Sequence, residues 1–328
     1  MINNIQLTLF IPNLLITTQG KQLKNLAKLL GKAKINSIPS ISVEEKILEL
    51  FGYSLQKPLS IAPLTALADG LTVNAEEWWI RCDPVELQAD QKTVFLTLVD
   101  FFDLTENEVK ELLIPLNQLL QSDNLTIIAP HPNRWYIKLK NNPEIETISP
   151  KELIKNSIKS YLKKGNQKTY WQCLFSELQM LLNQHPLNEY RLKQAKPLIN
   201  GLWFWGEGYL PTPLTNIYWK EISTNSLLAK GLATLNHISF TTLPETFSSW
   251  FEKKMSGKYL LISDTFNHET LLNWEINWFQ PLLIALKNKT ITQLNIYTDQ
   301  CHFSINCKDA NKWWKMPYNF SHYQPINK

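Results

Sequence analysis

Short apolar runs alternate along this chain with stretches in which leucines recur at helical spacing, and that alternation restricts it to α/β or α+β architectures. Residues 5–11 form an apolar run closed by Pro12 and Asn13, which predicts a buried strand stopping at a loop. Residues 21–30 carry leucines at helical intervals. Ser42 ahead of Glu44 and Glu45 predicts a capped helix running to Phe51 and ended by Gly52. Residues 77–98 read as strands with a polar turn at 87–91, and Thr105 with Glu108 in capping-box position predicts a helix to Leu120. Strands are expected at 125–128 and 135–139 and a helix at 169–184. Strand, helix and strand then follow at 259–262, 271–287 and 291–297, with a last strand at 301–307. The pattern changes near residues 72 and 210, where domain boundaries are expected.

At 328 residues with 44% hydrophobic side chains, the chain can bury one sizeable core or two smaller ones. The net charge of +4 is spread without any block of basic residues, which argues against nucleic acid as a partner and against a membrane-binding segment. Residues 1–17 lack a basic start and are interrupted by Asn3, Asn4, Pro12 and Asn13, so they read as a strand rather than a signal peptide. The four cysteines, Cys82, Cys173, Cys301 and Cys307, form no CxxC pair and no zinc-ligand spacing. Free thiols in a reducing cytoplasm are the expectation.

Three stretches resemble a known family. The first is Leu50-Phe51-Gly52-Tyr53 followed by Pro63-Leu64-Thr65-Ala66-Leu67-Ala68-Asp69-Gly70. The second is Trp79-Ile80-Arg81-Cys82-Asp83-Pro84. The third joins His185-Pro186-Leu187-Asn188-Glu189-Tyr190-Arg191 to Asn200-Gly201-Leu202-Trp203-Phe204-Trp205-Gly206-Glu207-Gly208. Together they resemble the archaeal-type cofactor-independent phosphoglycerate mutases and, more closely, the related bacterial regulatory proteins of the RpfE type. The resemblance implies an alkaline-phosphatase-like α/β fold, a mostly parallel sheet flanked by helices built from residues 1–71 and 210–328. An inserted α+β domain would span residues 72–209.

The resemblance also implies two divalent metals, manganese or magnesium, that activate a Ser or Thr nucleophile and clamp the oxygens of an in-line phosphoryl transfer. Active relatives place an Asp at the end of strand one, where this chain has Pro12 and Asn13, and the nucleophile position falls on Val43, one residue after Ser42. The expectation is therefore a catalytically silent relative with no cofactor, serving a regulatory or binding role toward a protein partner or a small phosphorylated or anionic ligand. Arg81, Asn188, Arg191 and Asn200 would hold the anion, since arginine suits bidentate phosphate recognition; the alternative is that each braces the fold. The rival reading is an active metal-dependent mutase or phosphatase with a remodelled site. Asp264, His268, Asp299 and His302 would be its ligands and Ser42 its nucleophile, although Asp264 and Asp299 also suit ordinary turns. His185, before a proline at a helix end, is expected to bind the last carbonyls of the preceding helix. Trp203 and Trp205 are expected in the core, and Trp274, Trp278, Trp313 and Trp314 on a helix face and a closing strand, where an aromatic partner surface is the alternative.

Overall fold

A computed structural model describes residues 4–18, 23–55, 59–89, 94–97, 103–150, 168–264 and 266–320. Its strands in chain order are β1 Ile5–Phe10, β2 Lys34–Ser37, β3 Trp78–Ala89, β4 Val94–Thr97, β5 Ile127–His131, β6 Arg134–Leu139, β7 Gly201–Tyr209, β8 Trp219–Thr224, β9 Phe240–Thr241, β10 Gly257–Ile262, β11 Gln293–Tyr297 and β12 Cys301–Asn306. They divide between two compact units. One is built from 1–54 with 214–328, the other from 55–213.

The first unit carries a seven-stranded sheet in the order β2-β12-β11-β1-β10-β8-β9. β11, β1, β10, β8 and β9 run parallel, while β12 and β2 join antiparallel at one edge. β1 alternates: Ile5, Leu7 and Leu9 pack with Leu294, Ile296, Tyr259 and Leu261 into a core closed by helices Leu14–Thr17, Lys24–Gly31, His268–Trp274 and Gln280–Lys287. Helix Val43–Phe51 forms as expected, because Ser42 and Glu45 satisfy each other's backbone N–H in a capping box and Gly52 takes the left-handed conformation that ends it, φ +98°. Both sheet edges are short: β2 has four exposed residues beginning with Lys34, and β9 has two.

The second unit holds a five-stranded antiparallel sheet in which β3 is central, pairing with β6, β4 and β7. β3 runs through residues 87–89, where a turn was expected. Pro84 sits inside it at the gap where pairing with β6 has ended at Arg81 and pairing with β4 has not begun at Glu86. A missing N–H costs nothing there. The helix from Glu106 to Leu120 starts at the Thr105–Glu108 capping box, and Lys168–Asn183 packs Trp171, Leu174, Leu178 and Leu182 into this unit's core.

The units part at 54/55 and 213/214 rather than at 71/72 and 209/210. Helix Ile61–Ala68 explains the shift, since its Ala62 and Ala66 pack against Trp79 and Tyr136 of the second unit. The helix expected over 271–287 is two helices joined by a π-turn at Glu275–Phe279. No helix among the described residues is long and apolar enough to cross a membrane. All four cysteines are free thiols, and burial pushes the Cys82 thiol well up.

Candidate functional site

In the first unit, the candidate ligands of a metal centre are set apart by the elements that carry them. Asp264 follows β10 and has no hydrogen-bond or ion-pair partner among the described residues. Asp299 follows β11, and its Oδ2 accepts the backbone N–H of Asn13 at 2.8 Å, holding the left-handed turn that ends β1. His268 is exposed in the first turn of its helix, which Asn267 caps. His302 lies inside β12 opposite Tyr297; the two rings stack 4.2 Å apart at 3°, and its Nε2 meets Asn295 Oδ1 at 3.2 Å. Burial and the nearby Lys46 ammonium lower the His302 pKa, favouring the neutral ring.

Asp264 and Asp299 do stand at the ends of the two strands that flank β1, but β1 itself offers Pro12 and Asn13 in place of a carboxylate. Among the described residues no group of three or more His, Cys, Asp or Glu could hold a metal ion. This donor set does not fit a two-metal centre, which needs several converging oxygen or imidazole ligands. Ser42 Oγ accepts the Glu45 N–H at 3.1 Å while Glu45 accepts the Ser42 N–H at 2.7 Å, so the hydroxyl is occupied as a helix cap.

The second unit gathers the charged residues of the resembling stretches. Arg81 Nη2 lies 2.8 Å from Asp83, both side chains being buried, and its guanidinium stands over the rings of Trp205 at 4.7 Å and Tyr136 at 5.6 Å. Burial pushes the Asp83 carboxyl up; the Arg81 charge and the N–H groups of Trp205, at 2.7 Å, and Trp135, at 3.3 Å, pull it back. Asp69 takes Arg134 bidentately and accepts the Tyr136 hydroxyl at 2.7 Å. Arg81 Nη1 carries no hydrogen bond among the described residues, which leaves one edge of the guanidinium for a ligand.

The other three anion-site candidates brace the fold, and no hydrogen bond or ion pair among the described residues joins them to Arg81. Arg191 is fully buried, bound through Nη1 to Glu108 at 2.7 Å and through Nε to the Pro197 carbonyl at 2.8 Å. Asn188 donates to the carbonyls of Leu182 and Ile199 and accepts the Ile199 N–H. Asn200 bridges both backbone groups of Leu87. His185 reaches the Leu182 carbonyl of the preceding helix with its backbone N–H, at 3.1 Å, but its ring does not bind that helix's carbonyls. It is the N-cap of helix Pro186–Lys193, its Nδ1 accepting the Leu187 N–H at 3.2 Å, because Pro186 provides the fixed backbone of a helix start. Trp203, Trp274 and Trp278 are buried and Trp205 half-buried, whereas Trp313 and Trp314 are exposed in the segment after helix Cys307–Ala310 and lie in no strand. Sequence reasoning missed Lys46, which is buried on helix Val43–Phe51, bonded to Glu49 and 5.4 Å from the Tyr297 ring. A lysine between Glu45 and Ile47 reads as an ordinary solvent-facing residue.

Residues 44–188 match the family model of 2,3-bisphosphoglycerate-independent phosphoglycerate mutase. Over that stretch the chain is similar to this mutase family. It is 27% identical over 180 residues to that mutase from Methanosarcina mazei, a stretch covering 52% of this chain and 44% of the relative. It is 24% identical over 166 residues to a probable mutase of the same name from Geobacter sulfurreducens, covering 50% and 42%. The mutase-like stretch thus spans less than half the length of these curated relatives. In fold, the chain is similar to the PH0037 protein of Pyrococcus horikoshii, with a TM-score of 0.56 at 15% identity over 93% of this chain and 88% of that one. The cofactor-independent phosphoglycerate mutase of Thermoplasma acidophilum aligns with a TM-score of 0.50 at 14% identity over 98% and 94%.

Proposed function

We propose that this phosphoglycerate-mutase-like chain is catalytically silent, keeps an alkaline-phosphatase-like scaffold with its inserted domain, and serves in the cytoplasm as a regulatory or binding protein of the RpfE type. The end of β1 carries the reading. Active members of the resembling family carry an Asp there as a metal ligand; this chain has Pro12 and Asn13, and Asp299 is engaged with the Asn13 N–H. Ser42, engaged as a helix cap, supports the same conclusion. An anionic ligand or a protein partner would then be bound rather than turned over, with the open edge of Arg81 as one contact.

Calorimetric titration with Mn²⁺, paired with assays on 3-phosphoglycerate and p-nitrophenyl phosphate, tests this directly. The expected result is no tight metal binding and no turnover. Two tightly bound metals, with activity that disappears in Asp264→Ala, would replace it with a remodelled phosphoryl-transfer site.

A further inference from the structure

The face of the parallel sheet opposite Ile5, Leu7 and Leu9 buries Phe10, Leu260, Ile262 and Ile222, but part of it is polar. Strands of a parallel sheet are usually buried on both faces and read as continuous apolar runs. Here the residues alternating with Ile5, Leu7 and Leu9 include Gln6 and Thr8, and the strand register sets Gln6 beside Lys258 on β10 and Thr8 beside Asn295 on β11. These four, with Leu50, Tyr218, Trp219 and Tyr297, line a cavity of about 160 Å³ lying wholly within the first unit.

The lining is supplied mainly with unengaged donors. Lys258 Nζ has no carboxylate partner among the described residues and stands 4.5 Å over the Tyr218 ring. Asn295 Oδ1 already meets His302 and Gln293, which leaves its Nδ2 as the free group. The hydroxyls of Tyr218 and Tyr297 make no hydrogen bond among the described residues, although the two rings are near enough to interact electrostatically; burial, then Tyr218, raises the Tyr297 pKa and keeps its proton in place. Gln6 and Thr8 add further polar side chains that make no hydrogen bond among the described residues. The lining has one cation and no carboxylate. The nearest acidic influence on Tyr297, Glu49, is bonded to Lys46 at 2.8 Å.

We infer that this cavity is a binding site for a small oxyanion, a phosphate or short carboxylate group held by Lys258, Asn295 and the two tyrosine hydroxyls. Lysine acts there as a point charge and the amide and phenols as directional donors. An acceptor-rich ligand satisfies all of them at once, whereas a cation would meet Lys258 head-on. Tyr297 is fixed by its stack on His302, while Tyr218, 58% exposed at the rim, is tilted against Trp219 at 4.7 Å. The inference does not rest on the strand-end residues being silent, because none of Ser42, Asp264, His268 or Asp299 lines the cavity.

Isothermal titration of the full chain with inorganic phosphate is the test, with Lys258→Ala, Asn295→Asp and, as a control for surface charge, Lys253→Ala. Wild-type protein is expected to bind saturably and Lys258→Ala to bind at least about tenfold more weakly, the loss of one charge-assisted contact. Asn295→Asp keeps Oδ1 for Gln293 and His302 while setting a negative charge against the anion, so binding should vanish. Lys253→Ala should match wild type. Absence of saturable phosphate binding, or equal affinity in Lys258→Ala and Lys253→Ala, overturns the proposal. Lys258 is exposed, so its substitution leaves the core intact.

Discussion

The pairing of Glu108 with Arg191 shows how a residue whose chemistry suits a ligand comes to serve the fold. Burial alone would raise the Glu108 pKa, but the Thr105 N–H, Arg191 and the Thr105 hydroxyl outweigh it and hold the carboxyl below its ordinary range. An acid depressed in the folded state contributes stability above its unfolded pKa of about 4.3, and that contribution is lost as pH falls through the lower folded value. Glu108→Gln should therefore lower the urea midpoint at neutral pH and leave a smaller further loss on acidification below pH ~4. Arg191→Met should cost about 3 kcal/mol in the same measurement, since Glu108 would remain part-buried without its cation. Sequence reasoning located Glu108 through its capping box, because a cap is a local contract between residues three apart. Its tie to Arg191, 83 positions away, has no local sign, and the same holds for Asn200 with Leu87.

Among elements, β7 is where sequence reading fell short, and the cause is glycine. Gly206 and Gly208 interrupt the aromatic alternation of Trp203 and Trp205, so Gly201–Tyr209 does not read as a strand. The structure uses both for close approach. Gly208 sits at φ +152°, and a Cβ there would come 2.9 Å from Ser60 Cβ and 3.1 Å from its Cα. Gly208→Ala should destabilise the second unit by about 1–3 kcal/mol, read as a lower thermal midpoint. The polar run from Gln88 to Gln91 predicts a turn beginning at Leu87, and only the pairing of Glu86 to Ala89 with β4 carries β3 on to Ala89. The capped helices at Val43–Phe51 and Glu106–Leu120 were legible for the opposite reason: start, apolar stripe and stop all lie within one element.

For the whole molecule, two separate cores mean that stability is not one quantity. Residues 55–213 contain a complete sheet and their own buried cluster of tryptophans and leucines. Expressed alone, this segment should show near-ultraviolet circular dichroism and a cooperative thermal transition; a featureless spectrum would mean that its core needs the rest of the chain. The α/β class was visible from the alternation of runs, but the unit boundary was not, because helix Ile61–Ala68 carries no mark of which core it joins until Trp79 and Tyr136 are brought to it. The two margins of the seven-stranded sheet bear on how the protein behaves in a crowded solution. Hydrogen-bonding groups along a strand margin invite a like strand from another copy, and the invitation grows with length and flatness. With four residues led by a lysine on one side and two on the other, neighbouring copies find little to extend, and the sheet is a poor seed for fibril growth.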